Sequence, residues 1–126
     1  MALGVSEESG VRIVEAALGE PLMRRPQDAT LVLEACLSAR VRGALLYPEN
    51  LTSQFFDLSS GEAGEVLDKL RRFHVRLAVV CQPNTVRFSS RFPEILSDDL
   101  RVFETRDEAR LWLGRAPLTG ANDRAS

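Results

Sequence analysis

The stretch Val75-Arg76-Leu77-Ala78-Val79-Val80-Cys81 decides the fold of this chain. It is apolar except for one arginine, and it is rich in β-branched residues. A short run of this kind is typical of a strand buried on both faces, as the central strands of a parallel sheet are. A helical repeat precedes it directly, with apolar residues at Ala63, Val66, Leu67, Leu70 and Phe73. A helix followed by a buried strand indicates an α/β fold.

The chain upstream of this unit repeats the same order of elements. The apolar spacing predicts a helix from an N-cap at Asp28 to about Arg40, ended by Gly43. Its predicted buried stripe is Ala29, Val32, Leu33, Cys36 and Leu37. Residues 44–47 predict a buried strand that Pro48 closes. At the N-terminus, residues 2–5 and 11–17 predict a β-hairpin with its turn at residues 6–10.

The chain downstream adds one strand and one helix. Residues 100–103 predict a strand, and Thr105 with Glu108 matches the capping-box pattern at a helix start. The helix that follows is predicted to bury Ala109, Leu111, Trp112 and Leu113 and to end near Gly114. Residues 82–96 give no clear pattern, although 85–90 favour a helical segment. The sequence therefore predicts one α/β domain over residues 1–114, with a mostly parallel sheet, and a disordered tail over 115–126.

Composition narrows the classes of function. The chain has 126 residues, with 16 basic and 18 acidic side chains and a formal net charge of −2. That balance argues against a nucleic-acid partner and against a membrane surface. Lys69 is the only lysine, so the basic residues are otherwise arginines. No signal-peptide pattern and no apolar run of membrane-spanning length is present, which predicts a cytoplasmic protein.

Few residues suggest catalysis. Cys36 and Cys81 lie in apolar runs and are expected to be reduced core thiols. One histidine, His74, and two scattered cysteines do not make a zinc site, and the glycine patterns of nucleotide-binding loops are missing, so no metal and no cofactor is expected. An enzyme that pairs His74 with Cys81 or Asp57 is the weakest hypothesis, because the sequence shows no partner that activates either group.

The stretch from Phe55 to Leu67 offers the sharpest candidate. Ser59 with Glu62 matches a second capping box, which makes Ser59 a helix N-cap. A serine hydroxyl at a helix N-terminus is also a place where an added phosphate is electrostatically tolerated. Both interpretations remain open, and capping is the simpler one. The arginines at positions 71, 72, 76, 87 and 91 predict a solvated basic face.

Two family resemblances follow from these residues. The segments Glu49-Asn50-Leu51-Thr52, Phe55-Phe56-Asp57-Leu58 and Gly61-Glu62-Ala63-Gly64-Glu65-Val66-Leu67 resemble a family of small bacterial proteins known as a domain of unknown function. That resemblance implies no activity. The chain also resembles the STAS and SpoIIAA-like domains, in which an Asp-Ser-Ser-Gly turn opens a helix. The counterparts here are Asp57, Ser59, Ser60 and Gly61, with Leu58 inserted after the aspartate.

The second resemblance implies a function. In the anti-sigma-factor antagonists of that group, a partner kinase phosphorylates the first serine of the turn, and Ser59 occupies the matching position. The resemblance thus implies a STAS-like fold and a non-enzymatic, regulatory protein-binding module whose partner is a regulator or a kinase. Its expected binding residues are Asn50, Phe55, Phe56, Asp57, Ser59 and Ser60.

Two other expectations concern ligands and assembly. The phenylalanines at positions 55, 56, 88 and 92 flank predicted strand ends, which suggests a small apolar ligand as the alternative to a protein partner. Exposed edge strands would also allow a homodimer.

Overall fold

The computed structural model describes residues 3–8, 10–17, 22–51, 55–57, 61–81 and 99–114. These residues form five strands, three α-helices and two short 3₁₀ turns, at Pro26–Asp28 and Pro48–Asn50. The strands are β1 (Leu3–Glu8), β2 (Val11–Ala16), β3 (Gly43–Leu46), β4 (Arg76–Val80) and β5 (Leu100–Phe103). The helices are α1 (Ala29–Ala39), α2 (Glu62–Arg72) and α3 (Arg106–Leu113).

The strands form one sheet in the order β1-β2-β3-β4-β5. The β1–β2 pair is antiparallel, and β2, β3, β4 and β5 are parallel neighbours. The expected α/β architecture, with a hairpin joined to a mostly parallel sheet, is therefore confirmed. The parallel strands begin at one edge of the sheet, here called the amino edge, and end at the other, the carboxyl edge. Helices α1 and α2 run back across the sheet, so their C-terminal ends lie at the amino edge.

Alternating residues of each central strand supply two apolar layers. In β4, Leu77 and Val79 face α1 and α2, whereas Ala78 and Val80 face α3. The layer under α1 and α2 is the larger of the two and includes Phe55 and Phe56. Both crossovers, β2-α1-β3 and β3-α2-β4, step in the same direction, which places both helices on one face of the sheet.

The ends of α1 and of the hairpin differ from expectation. Gly43 does not stop α1: the helix ends at Arg40, which has a left-handed backbone (φ 59°). Gly43 opens β3 instead, and a Cβ there would lie 3.2 Å from Leu113 Cδ2, so close packing against α3 explains the glycine. The predicted hairpin turn at residues 6–10 is too long, because Glu8 already pairs with Val11 and Gly10 takes the positive φ that the turn needs.

Three apolar residues expected in the core are exposed. Leu37 on α1, Phe73 just after α2 and Leu111 on α3 keep 55%, 45% and 61% of their accessible surface. Each fits a helical repeat, yet each remains largely accessible to solvent. The remaining predicted core residues of the helices are buried or, in the case of Leu113, half-buried.

The predicted N-caps have three different outcomes. Thr105 accepts a hydrogen bond from the Glu108 N–H at 3.2 Å, which confirms it as the N-cap of α3. The Glu108 carboxylate accepts from the Thr105 hydroxyl at 3.2 Å, so the predicted pair is in contact without the reciprocal backbone bond of a capping box. Asp28 occupies the N-cap position of α1, but its carboxylate accepts from the N–H groups of Arg24 and Arg25 instead. The prediction of Ser59 as the cap of α2 is wrong, because Gly61 holds the N-cap position with φ 78°. Residues 58–60, 82–98 and 115–126 lie outside the described residues, and so do the predictions made for them.

Candidate functional site

The carboxyl edge is where open parallel sheets usually bind ligands. Residues at this edge include Glu15 near the end of β2, Tyr47 to Asn50 after β3, and Cys81 after β4. The predicted binding residues Asn50, Phe55, Phe56 and Asp57 belong to the loop that follows β3. The contacts of each of these groups show what the carboxyl edge can do.

Asn50 holds the loop in place from inside the protein. Its side chain is fully buried; Oδ1 accepts a hydrogen bond from the Tyr47 N–H at 2.7 Å, and Nδ2 donates to the Ala17 carbonyl at 2.9 Å. Its own carbonyl accepts from the Met23 N–H at 2.8 Å. Asn50 therefore ties the end of β3 to the end of β2 and to the segment before α1.

The two adjacent phenylalanines fill the core. Phe55 is 0% exposed and Phe56 is 7% exposed, and their rings meet edge to face with centroids 5.3 Å apart. The sequence predicts that these rings contact a partner if they are exposed. Because both are buried, they contact the core of the protein instead. Asp57 is half-buried. Ser59 and Ser60 lie outside the described residues.

A charge network joins the hairpin to α3. Its four members are Glu8, Glu15, Arg106 and Arg110. Arg106 donates to Glu15 through Nε at 2.6 Å and through Nη2 at 2.9 Å, and it reaches Glu8 at 2.6 Å. These hydrogen bonds from the guanidinium lower the pKa of both carboxyl groups. Arg110 is buried and donates to Ser6 Oγ at 2.6 Å and to the Val11 carbonyl at 2.8 Å.

The charges of the network balance, and its side chains are already bonded to one another and to the hairpin. Two carboxylates face two guanidiniums, so the formal charges of the four groups cancel. The Tyr47 hydroxyl reaches Glu15 at 3.5 Å, and burial together with the Glu15 charge raises the pKa of that phenol. Sequence analysis missed this network, although two signals were available. Glu15 shares the β2 face of Ile13, and Arg106 and Arg110 are one helical turn apart.

Both thiols are buried, and the single histidine lies at the opposite end of β4 from Cys81. Burial raises the pKa of the Cys36 thiol to about 12 and also raises the pKa of the Cys81 thiol, where the charge of Glu49 adds to the effect. Both are buried thiols, as expected of core cysteines. His74 precedes β4 and Cys81 follows it, so at roughly 3.3 Å per residue the two lie about 20 Å apart. The pairing of His74 with Cys81 is therefore wrong.

The amino edge has a different character, which begins with the way α1 and α2 end. In α1 the Val41 N–H donates to the Cys36 carbonyl and the Arg40 N–H to the Leu37 carbonyl. In α2 the N–H groups of Val75 and His74 make the equivalent bonds, to Leu70 and Arg71. Both helices thus end in a Schellman motif. The left-handed position of that motif usually holds glycine, but here it holds Arg40 (φ 59°) and His74 (φ 58°).

Arginines from the sheet reach the C-terminal carbonyls of all three described helices. Arg12 donates to the Ala39 carbonyl at 3.0 Å, and Arg42 donates to the Phe73 carbonyl at 3.3 Å. Arg76 donates to the Trp112 carbonyl at 2.7 Å, and its guanidinium lies 4.2 Å from the centroid of that indole ring. Positive groups here complement the negative ends of the helix dipoles. Part of the predicted basic face therefore has a structural task.

An open cleft lies between the ends of α1 and α2. It has a volume of 240 Å³, and we refer to it as the amino-edge cleft; its lining is formed by Cys36, Leu37, Arg40, Val41, Arg42, Phe73 and Val75. Leu37 and Phe73 are the exposed apolar residues that sequence analysis had assigned to the core. The described residues thus bring exposed apolar side chains and arginines together at this cleft.

Two further properties concern the described residues as a whole. No cluster of three or more His, Cys, Asp or Glu side chains in them is arranged to hold a metal ion. Within the same residues, no helix has the length and apolar character needed to cross a bilayer.

Comparisons with known proteins identify the family. No curated protein matches the chain, and no solved structure does. A family model described as "Domain of unknown function (DUF4180)" matches residues 8–113, a range that includes the whole parallel sheet, the three helices and both edges. The resemblance to a domain of unknown function is thereby confirmed: the chain belongs to the DUF4180 family.

Proposed function

We propose that this domain is a non-enzymatic protein-binding module and that its partner docks on the amino-edge cleft. The observation that carries the proposal is the exposure of Leu37 and Phe73, about half in each case, within one cleft. Covering apolar surface of this kind is favourable by roughly 25 cal/mol per Å². Aromatic residues and arginine are also enriched in the cores of protein interfaces, and the cleft contains both.

The sequence predicts a different binding surface, the loop that follows β3. Asn50, Phe55 and Phe56 are buried. Among the predicted binding residues that the structure describes, Asp57 is the one that is partly accessible to a partner. A regulatory role like that of the anti-sigma-factor antagonists, with a switch at Ser59 and a STAS-like fold, remains a prediction. The small-ligand alternative has weaker support, because Phe55 and Phe56 pack against each other in the core.

Capture from a lysate of the source organism tests the proposal. Immobilised wild type is compared with Leu37→Ser and Phe73→Ser. Leu111→Ser serves as the matched control, since Leu111 is at least as exposed but lies on α3. We expect a protein retained by wild type and by Leu111→Ser to be lost with both cleft variants. Identical sets of retained proteins on all four forms would overturn the proposal. Circular dichroism of each variant checks that the fold is intact.

A further inference from the structure

The arginines of the amino edge fall into two groups. Those with a structural task include Arg12, Arg42 and Arg76, which bind helix carbonyls, and Arg71, which pairs with Asp99 at 3.0 Å. Arg40 is different: it lines the cleft, and no carboxylate among the described residues forms an ion pair with it. Ion pairs and side-chain hydrogen bonds among the described residues therefore do not account for every arginine at this edge.

The backbone of Arg40 and His74 supports the same distinction. Each occupies the left-handed position of a Schellman motif, where glycine avoids the steric cost that a Cβ brings. They are the only non-glycine residues with positive φ in the described part of the chain. Both are exposed, and both stand beside the cleft: Arg40 lines it, and His74 lies between the lining residues Phe73 and Val75. Folding alone would favour glycine at both positions.

The size of the cleft indicates what enters it. Pockets for small organic ligands usually have volumes of about 300–1,000 Å³ and enclose most of the ligand. The amino-edge cleft, at 240 Å³ and open to solvent, is suited to one apolar side chain presented by a larger molecule. Its apolar wall is formed by Leu37, Val41 and Phe73, while Arg40 and Arg42 supply positive charge. A complementary surface therefore offers one apolar residue flanked by carboxylates.

We propose that the amino-edge cleft binds an acidic segment of a partner protein, with one apolar side chain inserted between Leu37 and Phe73 and a flanking carboxylate paired with Arg40. This inference rests on the proposed function and specifies the chemistry of the partner. A protein segment is favoured over a nucleic acid because the cleft is lined by exposed apolar side chains and the whole chain carries a formal net charge of −2.

A second cleft provides a contrast. It has a volume of 320 Å³ and lies between the hairpin and α3, lined by Glu8, Val11, Asp107, Arg110 and Leu111. Its one arginine is already committed to Ser6 and Val11, and Glu8 and Asp107 give it two carboxylates. The second cleft therefore lacks the available positive charge of the amino-edge cleft.

Fluorescence anisotropy with a labelled synthetic peptide tests the proposal. The probe is a short peptide in which glutamates and aspartates flank a single leucine. One control peptide has lysines in place of the acids, and the other has alanine in place of the leucine. We expect wild type to bind the acidic leucine peptide at least tenfold more tightly than either control. Raising the ionic strength from about 0.05 M to about 0.5 M should weaken that binding, since exposed charge pairs are screened.

Variants assign the binding to the cleft. Arg40→Gly should weaken it about threefold, as expected for one exposed ion pair, and Phe73→Ser about tenfold or more. Arg24→Gln is the matched control; it removes a charge from an exposed arginine before α1, at the carboxyl edge, and should leave binding unchanged. Equal binding of the acidic and lysine peptides, no binding of the acidic peptide, or insensitivity to Arg40→Gly would overturn the proposal.

The outcomes also separate this inference from the proposed function. If Phe73→Ser abolishes capture of a cellular partner while Arg40→Gly and added salt do not affect it, the module and its surface stand but the acidic partner is wrong. If neither variant affects capture, the proposed function fails as well. Tighter binding of a single-stranded oligonucleotide than of the peptide would identify a nucleic acid and overturn the proposed partner class.

Discussion

The carboxyl edge and the amino edge of the sheet use their polar residues in opposite ways. At the carboxyl edge, Asn50 is buried and bonded to three segments of the chain, and Glu15 is held by Arg106. At the amino edge, Arg40 is exposed and lines an open cleft next to Leu37 and Phe73. Polar residues at a strand end can therefore serve the fold, whereas exposed apolar residues beside an exposed arginine are better evidence of a binding surface.

The two edges each contain a phenylalanine that tests this contrast. Phe55→Ala removes a fully buried ring and should lower the free energy of unfolding by about 3–5 kcal/mol, because a cavity remains. Phe73→Ala removes a ring that is 45% exposed and should lower it by less than about 1 kcal/mol. Chemical denaturation of both variants gives the comparison. Similar losses for the two would show that Phe73 is a core residue and would remove the main evidence for the docking surface.

Asn50→Ala is expected to have the next largest effect. The variant loses the hydrogen bonds that the Asn50 side chain makes to the Tyr47 N–H and the Ala17 carbonyl inside the protein. This loss should lower the free energy of unfolding by about 2–3 kcal/mol. The exposed neighbour Glu49 supplies the control, since Glu49→Ala should change stability by less than about 0.5 kcal/mol. A loss below about 1 kcal/mol for Asn50→Ala would mean that the side chain is available for binding.

Glu15→Gln tests whether the charge network is structural. Because Arg106 lowers the folded-state pKa of Glu15, the ionised carboxylate stabilises the fold above its ordinary pKa of 4.5, and this contribution is lost as the pH falls through the lowered value. The variant should be about 1–2 kcal/mol less stable than wild type at pH 7. The difference should shrink steadily below pH 4.5.

Urea denaturation at a series of pH values measures this difference. The control is Glu7→Gln, which removes an exposed carboxylate from the same hairpin. A difference between wild type and Glu15→Gln that does not depend on pH would contradict the assignment of the network.

Arg40→Gly has the smallest expected effect on stability. Whether the variant is more or less stable than wild type shows whether the Arg40 side chain serves the fold. Glycine relieves the left-handed strain at φ 59° but adds freedom to the unfolded chain, so we expect a net gain of about 0.5–1 kcal/mol. Thermal denaturation beside wild type measures it. A loss of stability would show that the Arg40 side chain serves the fold, and its proposed role in binding would then lose its main support.

The features that sequence analysis predicted correctly depend on neighbours in the chain. The buried strand β4 and the N-cap at Thr105 are both encoded within a few residues. The exposure of Leu37 and Phe73 was missed, because a helical repeat alone does not reveal which of its apolar positions other elements cover. The contact between Arg106 and Glu8 joins residues far apart in the chain, so local spacing could not reveal it. For the same reason, the sequence could not reveal that Asn50 is buried and bonded to Tyr47, Ala17 and Met23.

Amide chemical-shift mapping of the ¹⁵N-labelled protein with the acidic leucine peptide tests the central claim most directly. The account predicts that the largest shifts occur at the amino-edge cleft, at Leu37, Arg40, Val41, Phe73 and His74. The amides of Asn50, Phe55 and Cys81 should stay near their original positions. Shifts concentrated at the carboxyl edge, or spread evenly over the protein, would contradict the account.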